Sequence, residues 1–286
     1  MLRKIIWIAG IVLLVAIALF WTKRNFDRKI AREVTELFAP FPPAEKAILS
    51  EDMLTGLPAC VQLWIANSGL VGREMIYAVR LKQQGQMRRT PEEKWMPTEA
   101  EQYFSIDPPG FIWKAKVDMV PAFSFSGRDK YMDGKGNMLI KFLSLFPVVD
   151  GKGPELDQGT LLRYLGEICW FPSAALAPYI TWEAIDSSSA KATMSYKGVS
   201  ASGVFTFDEA GRMTQFRAQR YMGAGETAVL KDWYIPAEEW KEFQGVQVPA
   251  KGGVIWQLES GDFNYYQWEV TDIEYNKPEL WKKDRE

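Results

Sequence analysis

The stretch GFIWKAKVDM, residues 110–119, decides the fold. Apolar side chains stand at every odd position from Phe111 to Met119, and charged ones stand at the even positions from Lys114 to Asp118. Successive side chains of a β-strand point to opposite faces, so this period of two indicates a half-buried strand. The stretch therefore predicts a sheet with one apolar, aromatic face.

The same alternation recurs on both sides of this stretch. Met75 to Lys82 reads as a strand, and residues 131–142 read as a hairpin that turns at Asp133–Gly136. A meander follows, with candidate strands at 180–186, 190–197, 202–208, 212–221, 231–235, 241–248, 253–259 and 263–275. About ten antiparallel strands with few helices predict a mainly β (α+β) fold, namely a strongly curved antiparallel sheet or incomplete β-barrel.

Three short helices are predicted within this β-rich part. Residues 58–67 have Pro58 in the first turn and Gly69 just past the end. The spacing Thr98-Glu99-Ala100-Glu101 is that of a capping box and predicts one or two helical turns. Residues 158–169, capped by Asp157, form an amphipathic helix that we expect to cover the concave face of the sheet. Its predicted buried stripe is Leu161, Leu162, Leu165, Ile168 and Cys169, with Arg163 and Glu167 on the opposite face.

The amino terminus carries an unbroken run of 17 uncharged residues from Ile5 to Trp21. At 1.5 Å per residue it is about 26 Å long, close to the thickness of the bilayer core. Trp7 and Trp21 lie near its ends, where interfacial aromatic residues are found. A cleaved signal peptide is the alternative, because Ala16-Ile17-Ala18 has a small-x-small spacing, but Leu19, Phe20 and Trp21 follow it instead of a polar region.

Orientation of this anchor is ambiguous from charge alone. Arg3 and Lys4 precede it as in a signal anchor with an exported body, whereas five basic residues at 23–32 oppose that orientation. An extracytoplasmic body is the favoured prediction. Cys60 and Cys169 fit either compartment and leave open whether they pair.

A juxtamembrane helix is predicted directly after the apolar run. Its apolar positions recur at helical spacing: Phe26, Ile30, Val34, Leu37 and Phe38. The prolines at positions 40, 42 and 43 stop it. The helix lies either on the lipid headgroups or as a stalk packed on the body. The predicted organisation is a membrane anchor at 1–24, a juxtamembrane helix and proline-rich linker at 25–56, and a single β-rich domain at 57–286.

Composition excludes much familiar chemistry. The 286 residues include no histidine and two cysteines, so histidine-dependent catalysis, four-cysteine zinc sites and iron–sulfur clusters cannot be built. Residues 1–32 hold seven basic residues and one acidic residue, so they carry +6 and the remainder carries −8 of the net −2. An acidic body argues against nucleic acid as a partner, and the basic stem suits anionic lipids. We predict no catalytic residues, metal or cofactor.

Two motif matches and a set of carboxylates suggest other chemistry. Residues 129–134 suggest a calcium loop, but Tyr131 replaces an oxygen ligand and Ile140 stands in place of the bidentate glutamate. Residues 188–191 match S-x-x-K within a turn and lack the companion motifs. Paired carboxylates without histidine leave a hydrolase conceivable. The candidates are Glu155, Asp157, Glu167, Glu183 and Asp186.

Several stretches resemble a family of domains of unknown function found in membrane-anchored microbial proteins. They are PGFIW at 109–113, GRDKY at 127–131, LLRYLGEICWFP at 161–172, WEAID at 182–186, FDEAGR at 207–212 and TDIEYN at 271–276. The resemblance covers about residues 57–276, and its Trp-Phe-Pro motif is the most specific part. The family has no assigned reaction, so no catalytic residue carries over. In strand order and helix insertion only, the chain is also similar to periplasmic lipoprotein carriers, which are curved half-barrels with helices plugging an apolar cavity.

Aromatic residues give the leading functional hypothesis. Twelve tryptophans are unusual, and a curved sheet of this size can leave an apolar cavity for a ligand. The predicted ligand-binding residues are Phe111, Trp113, Arg128, Arg163, Tyr164, Trp170, Phe171, Trp182, Arg220 and Trp256. The arginines, with Asp129, would fix a polar headgroup at the mouth, although Arg128 and Asp129 can equally pair with each other. The alternatives are a solidly packed protein-interaction module, whose partner the sequence does not identify, and a histidine-free hydrolase.

Overall fold

The predicted mainly β fold is confirmed by the computed structural model, which describes residues 2–41, 46–121, 123–223 and 225–282. These residues contain one antiparallel sheet of thirteen strands. The strands are β1 (Ala78–Met87), β2 (Met96–Ser105), β3 (Gly110–Val120), β4 (Phe123–Met132), β5 (Lys135–Phe142), β6 (Phe146–Gly151), β7 (Ile180–Ala184), β8 (Ser189–Tyr196), β9 (Val199–Phe207), β10 (Met213–Met222), β11 (Val229–Phe243), β12 (Val246–Leu258) and β13 (Gly261–Tyr275).

Strand order shows how the two halves of the chain share this sheet. The order is β6-β5-β4-β3-β2-β1-β13-β12-β11-β10-β9-β8-β7, so each half is a meander and β1 pairs with β13 at the junction. Three helices accompany the sheet: α1 (Leu2–Phe38), α2 (Ala59–Asn67) and α3 (Pro154–Glu167). Helix α3 is inserted between β6 and β7 and contacts both β5 and β9. It therefore crosses the concave face and closes the curled sheet, as the sequence predicts.

The β4–β5 hairpin turns where the sequence predicts. Asp133 and Gly134 both have positive φ, 54° and 75°, which is the geometry of a two-residue hairpin turn. The predicted strand at 241–248 is wrong, because a second such turn divides it at Gln244 and Gly245. The chain reverses there, so the segment belongs to the ends of β11 and β12.

The predicted helical turn at 98–101 is also wrong, since these residues lie in β2. Thr98 and Ala100 are buried while Glu99 is exposed, and Phe104 continues the buried series at a spacing of two. Pairing with β1 and β3 on either side satisfies the backbone of this segment. Tertiary pairing overrides the local capping-box signal.

Helix α1 runs without a break from the apolar run into the predicted juxtamembrane helix. Its second half lies on the convex face of the sheet, so the structure shows the packed stalk of the two alternatives. The contact is apolar, with Phe26, Ile30, Val34, Leu37 and Phe38 packed against Ala78, Tyr103, Ile112 and Leu139. The helix ends at Phe38, before Pro40; Pro42 and Pro43 lie outside the described residues.

Helix α3 begins earlier than predicted. Pro154 occupies its first turn and Gly153 precedes it, so Asp157 is not the cap. The Asp157 carboxylate instead accepts hydrogen bonds from the Gly136 backbone N–H and from Lys135, which fixes the helix to β5. The predicted stripe from Leu161 to Cys169 is buried.

Candidate functional site

A cavity of about 600 Å³ lies between α3 and the concave face of the sheet. Strands from both halves of the sheet line the cavity. Helix α3 contacts β5 of one half and β9 of the other and does not fill the space between them. Aromatic side chains line much of its interior: Trp113, Trp170, Trp233, Trp256, Phe263, Tyr266 and Trp268. Its walls are thus predominantly apolar.

One charged cluster interrupts this apolar wall. The Arg163 guanidinium on α3 donates from Nη1 to Asp129 Oδ2 on β4 at 2.7 Å and from Nε to Glu167 Oε1 at 2.8 Å. Gln102 on β2 donates to the second Glu167 oxygen, also at 2.8 Å. Each of the three charged side chains is at most 15% exposed. The cluster therefore ties α3 to β2 and β4 across the cavity wall.

Burial and ion pairing act in opposite directions on the pKa values in this cluster. Loss of solvent raises the pKa of Glu167, although Arg163 and Gln102 act in the opposite direction. Burial lowers the pKa of Arg163, but the two carboxylates more than offset it and the net pKa is raised. The Arg163 guanidinium also lies 5.0 Å from the ring centres of Phe111 and Trp113. Arginine therefore remains charged inside an aromatic wall.

Arg220 on β10 differs from Arg163 in having no carboxylate partner within the part of the chain that the structure describes. Its guanidinium carbon lies 4.6 Å from the ring centre of Trp233 and 5.9 Å from that of Trp256. Its Nε is buried without a hydrogen-bond acceptor. A half-buried cation thus lies on the aromatic wall of the cavity with its charge uncompensated.

The Trp-Phe-Pro motif holds the end of the covering segment in place. Trp170 Nε1 donates to the Pro249 carbonyl of β12 at 3.0 Å, and its ring meets Trp268 of β13 edge-on at 5.3 Å. Phe171 is fully buried and packs 4.7 Å from the ring centre of Phe104. The motif therefore joins the inserted segment to strands of both halves of the sheet.

Six of the ten predicted ligand-binding residues line the cavity: Trp113, Arg128, Arg163, Trp170, Arg220 and Trp256. Phe111, Tyr164 and Phe171 are fully buried in the surrounding core. Trp182 packs on Trp64 and Phe205 and donates to the Ala175 carbonyl, so it stabilises the fold elsewhere. These four side chains do not face the space that the others enclose.

Arg128 borders the cavity, but its guanidinium lies on the other face of the sheet. Neighbouring residues of a strand face opposite ways, so Asp129 points to the cavity and Arg128 points to the convex face. There Arg128 pairs with Glu33 of α1 at 3.1 Å and donates to the Asn137 carbonyl at 2.7 Å. Its guanidinium is therefore paired with Glu33 and not with Asp129.

The structure corrects the predicted placement of Arg163 and Glu167 on α3. The sequence predicts them on the outer face of α3, but both line the cavity. Trp233 and Tyr266 are wall residues that the sequence analysis did not predict, although their alternation within strands was available as a signal. Cys60 and Cys169 are both buried free thiols.

The chain belongs to the family of unknown function DUF6544, which it matches over residues 47–268. This confirms the family resemblance of the sequence. A comparison with curated proteins finds no match.

Two solved structures share features of the fold at low similarity. One is a domain named for outer membrane lipoprotein sorting from Vibrio parahaemolyticus, with 8% identity, a TM-score of 0.42 and coverage of 70% of this chain and 86% of that chain. The other is a LolA superfamily protein from Nitrosomonas europaea, with 10% identity, a TM-score of 0.36 and coverage of 69% and 86%. Neither likeness is close enough to carry a functional argument.

Proposed function

We propose that this chain is a single-pass membrane-anchored protein whose β-rich domain binds an apolar or lipid-like ligand, as a carrier or accessory factor. The observation that carries the proposal is the cavity of about 600 Å³ with aromatic walls beneath α3. Ligand pockets are usually about 300–1,000 Å³ and mostly apolar with few polar groups. The volume and the lining both fit that description.

The free energy of binding would come from the apolar walls. Each buried methylene contributes about 0.8 kcal/mol, so a chain of ten methylenes gains about 8 kcal/mol before the costs of immobilisation. Immobilisation costs several kcal/mol of this gain, so the net affinity is weaker than the micromolar dissociation constant that about 8 kcal/mol alone would give.

Arg220 would give the cavity a preference for ligands that carry an anionic group. A ligand with an anionic group beside its apolar part would compensate the charge of Arg220 on the cavity wall. Arg163 is not available for this role because Asp129 and Glu167 already occupy it. An anionic amphiphile is thus favoured over a neutral hydrocarbon.

The membrane anchor and the domain organisation belong to the same proposal. The apolar stretch of α1 is long and apolar enough to cross a bilayer, and its side chains described from Ile6 to Ile17 are exposed. Residues 1–24 would be the anchor, 25–56 the juxtamembrane helix and linker, and 57–286 the single β-rich domain, on the extracytoplasmic side. The same stretch would serve as a signal sequence if it were cleaved.

A histidine-free hydrolase is less well supported. Asp129 and Glu167 do lie together at the cavity, but three of their four carboxylate oxygens accept hydrogen bonds from Arg163 or Gln102. Carboxylates held in this way stabilise the packing of α3 and have little freedom to attack or to transfer a proton. A solidly packed interaction module conflicts with the size of the cavity.

Native mass spectrometry of the full chain, extracted in mild detergent, tests ligand binding. We expect a bound species that is released on unfolding. Filling the cavity with Val117→Phe and Val254→Phe should lower its occupancy about tenfold, if packing loss costs about 1.4 kcal/mol. Val204→Phe makes one such substitution, with half the added volume, at a half-exposed position outside the cavity lining and is the control.

The possible outcomes distinguish binding in the cavity from its absence. Occupancy that falls in the filled variant and persists in the Val204→Phe control supports the proposal. Wild-type protein that is uniformly free of ligand, or equal occupancy in both variants, contradicts it.

A further inference from the structure

The course of α1 fixes which end of the body faces the apolar run. Leu37 packs against Gly110 at the start of β3, with its Cδ1 2.9 Å from the place of a Cβ there. Asp27 pairs with Lys114 in the middle of β3 at 3.1 Å. The helix therefore runs antiparallel to β3 and leaves the body near the end of that strand.

The apolar run of α1 begins where the helix leaves the body, near the end of β3. Phe20 shares a cleft with Lys116 of β3, Ser124 of β4 and Leu143 just after β5. Val120 is four residues beyond Lys116 along β3, a distance of at most about 13 Å at 3.3 Å per residue. The tips of the β3–β4 and β5–β6 hairpins thus lie beside the apolar run, level with Phe20 or further along it.

These two hairpin tips carry large exposed apolar side chains, which we call the rim. The rim consists of Val120, Phe123, Phe146, Val148 and Val149, which are 38–58% exposed. Hairpin tips are normally polar, because Gly, Asn, Asp and Ser make turns. A group of exposed apolar side chains marks an interaction site.

The rim is also the border of the cavity. Val148 and Val149 line the cavity and are exposed at the same time. Val117 and Phe125 line it just inside Val120 and Phe123 on the same strands. The apolar wall therefore continues from the cavity interior to the outer surface beside α1.

From this continuity we infer that the rim inserts into the surface of the bilayer and that the cavity opens directly onto it. This rests on the part of the proposed function in which α1 spans the membrane. Lys23, Arg24 and Arg28 on α1 and Lys116 and Lys141 on the strands would lie at the level of the headgroups. A lipid could then pass between bilayer and cavity without crossing water.

Site-directed labelling of the full chain tests the rim. Cys60 and Cys169 are buried and burial raises their thiol pKa, so an environment-sensitive thiol label should react mainly with introduced cysteines. The variants are Phe123→Cys and Phe146→Cys in the rim, Leu14→Cys in the apolar run, and Asp133→Cys as the matched control. Asp133 follows β4 at the end opposite to Phe123, about 30 Å away at 3.3 Å per residue.

The labelled proteins are reconstituted in phosphatidylcholine–phosphatidylglycerol vesicles that contain lipids spin-labelled near the headgroup. Both rim labels should shift their emission to the blue and be quenched several-fold more than the Asp133→Cys label. The variant Phe123→Glu/Phe146→Glu should slow the uptake of a pyrene-labelled phosphatidylglycerol from the vesicles by about fivefold per charge at most.

Each outcome decides a different point. Rim labels quenched no more than Asp133→Cys, while native mass spectrometry still finds a ligand, overturn this inference and leave the proposed ligand binding intact. Blue-shifted rim labels that the spin-labelled lipids do not quench indicate contact with a second protein copy and also overturn it. A Leu14→Cys label whose emission is not shifted to the blue refutes the membrane anchor on which the inference depends.

Discussion

The two faces of the sheet are covered by helices in different ways. On the convex face α1 packs with five apolar residues and a buried ion pair, Glu33 with Arg128. On the concave face α3 is fixed by a buried ion pair as well, Arg163 with Asp129, yet a cavity of about 600 Å³ remains beside it. Arg128 and Asp129 are neighbours on β4, so a single strand serves both contacts.

Curvature accounts for this difference. On the convex face one row of side chains fills the contact of α1 from Phe26 to Phe38, and a cleft of about 620 Å³ opens beside the helix at residues 19–27. A concave surface of thirteen strands is wider than one helix, so α3 covers it without filling it. Aromatic side chains reduce the remaining space and leave a lined cavity. The convex contact is thus packed along the second half of α1 and leaves a cleft beyond it, whereas the concave contact leaves a cavity beneath α3.

The largest expected effect comes from breaking the concave anchor with Arg163→Met. Asp129 and Glu167 would remain buried without their cation, which typically costs about 3–5 kcal/mol. Arg128→Met on the convex face should cost less, about 2 kcal/mol, because Glu33 keeps Lys130 at 3.2 Å and Lys29 at 3.6 Å. Denaturant unfolding of the full chain in detergent, followed by tryptophan fluorescence, measures both.

A triple variant separates charge from shape at this anchor. Replacing Arg163 by Met, Asp129 by Asn and Glu167 by Gln removes the unpaired charges and should recover most of the stability lost in Arg163→Met. Equal losses in the single and triple variants would show that packing, and not the buried charge, holds α3.

An intermediate effect is expected from overfilling the packed part of the concave face. A Cβ on Gly203 of β9 would stand 2.1 Å from Phe216 Cζ, so Gly203→Ala should destabilise the fold by about 1–3 kcal/mol. Ser200→Ala, at an exposed position on the same strand, is the control and should change stability by less than about 0.5 kcal/mol. An unchanged unfolding free energy in Gly203→Ala would mean that the cavity extends to this end of the sheet.

The smallest expected change in stability comes from Arg220→Met. Arg220 has no carboxylate partner among the described residues, so its removal should shift the unfolding free energy by less than about 1 kcal/mol. The ratio of anionic to neutral amphiphile bound should nevertheless fall about tenfold, as expected for loss of one charge-assisted hydrogen bond of about 1.4 kcal/mol. Competition between a fatty acid and the matching alcohol measures this ratio, and an unchanged ratio would contradict the role of Arg220.

The alternation of apolar and polar residues predicted the strands reliably. It places β3 within one residue at the amino-terminal end, and the stripe from Leu161 to Cys169 places the covering helix. The turn at Gln244–Gly245 was not predicted, although Gly245 and the break in alternation between Phe243 and Val246 mark it in the sequence. Residues 98–101 carry the local signature of a helix start, and only their pairing with β1 and β3 makes them a strand.

The site was harder to predict because it depends on contacts distant in sequence. The alternation rule does send Arg128 and Asp129 to opposite faces, but which face holds the cavity depends on where α1 and α3 pack. Arg163 and Glu167 sit at the spacing of a surface pair on a helix, and only the approach of Gln102 and Asp129 buries them. Arg220 has no distinguishing neighbour in the sequence.

Helix α1 continues for 37 residues with no interruption between its apolar run and the part packed on the sheet. A flexible tether would let the body swing through a volume set by the linker length. A stiff helix about 56 Å long removes that freedom, because tilting or rotating the helix must turn the β-rich domain with it. The position and tilt of the first half of α1 therefore determine the position and orientation of the cavity. A binding partner would approach the cavity only from directions that the orientation of this helix allows.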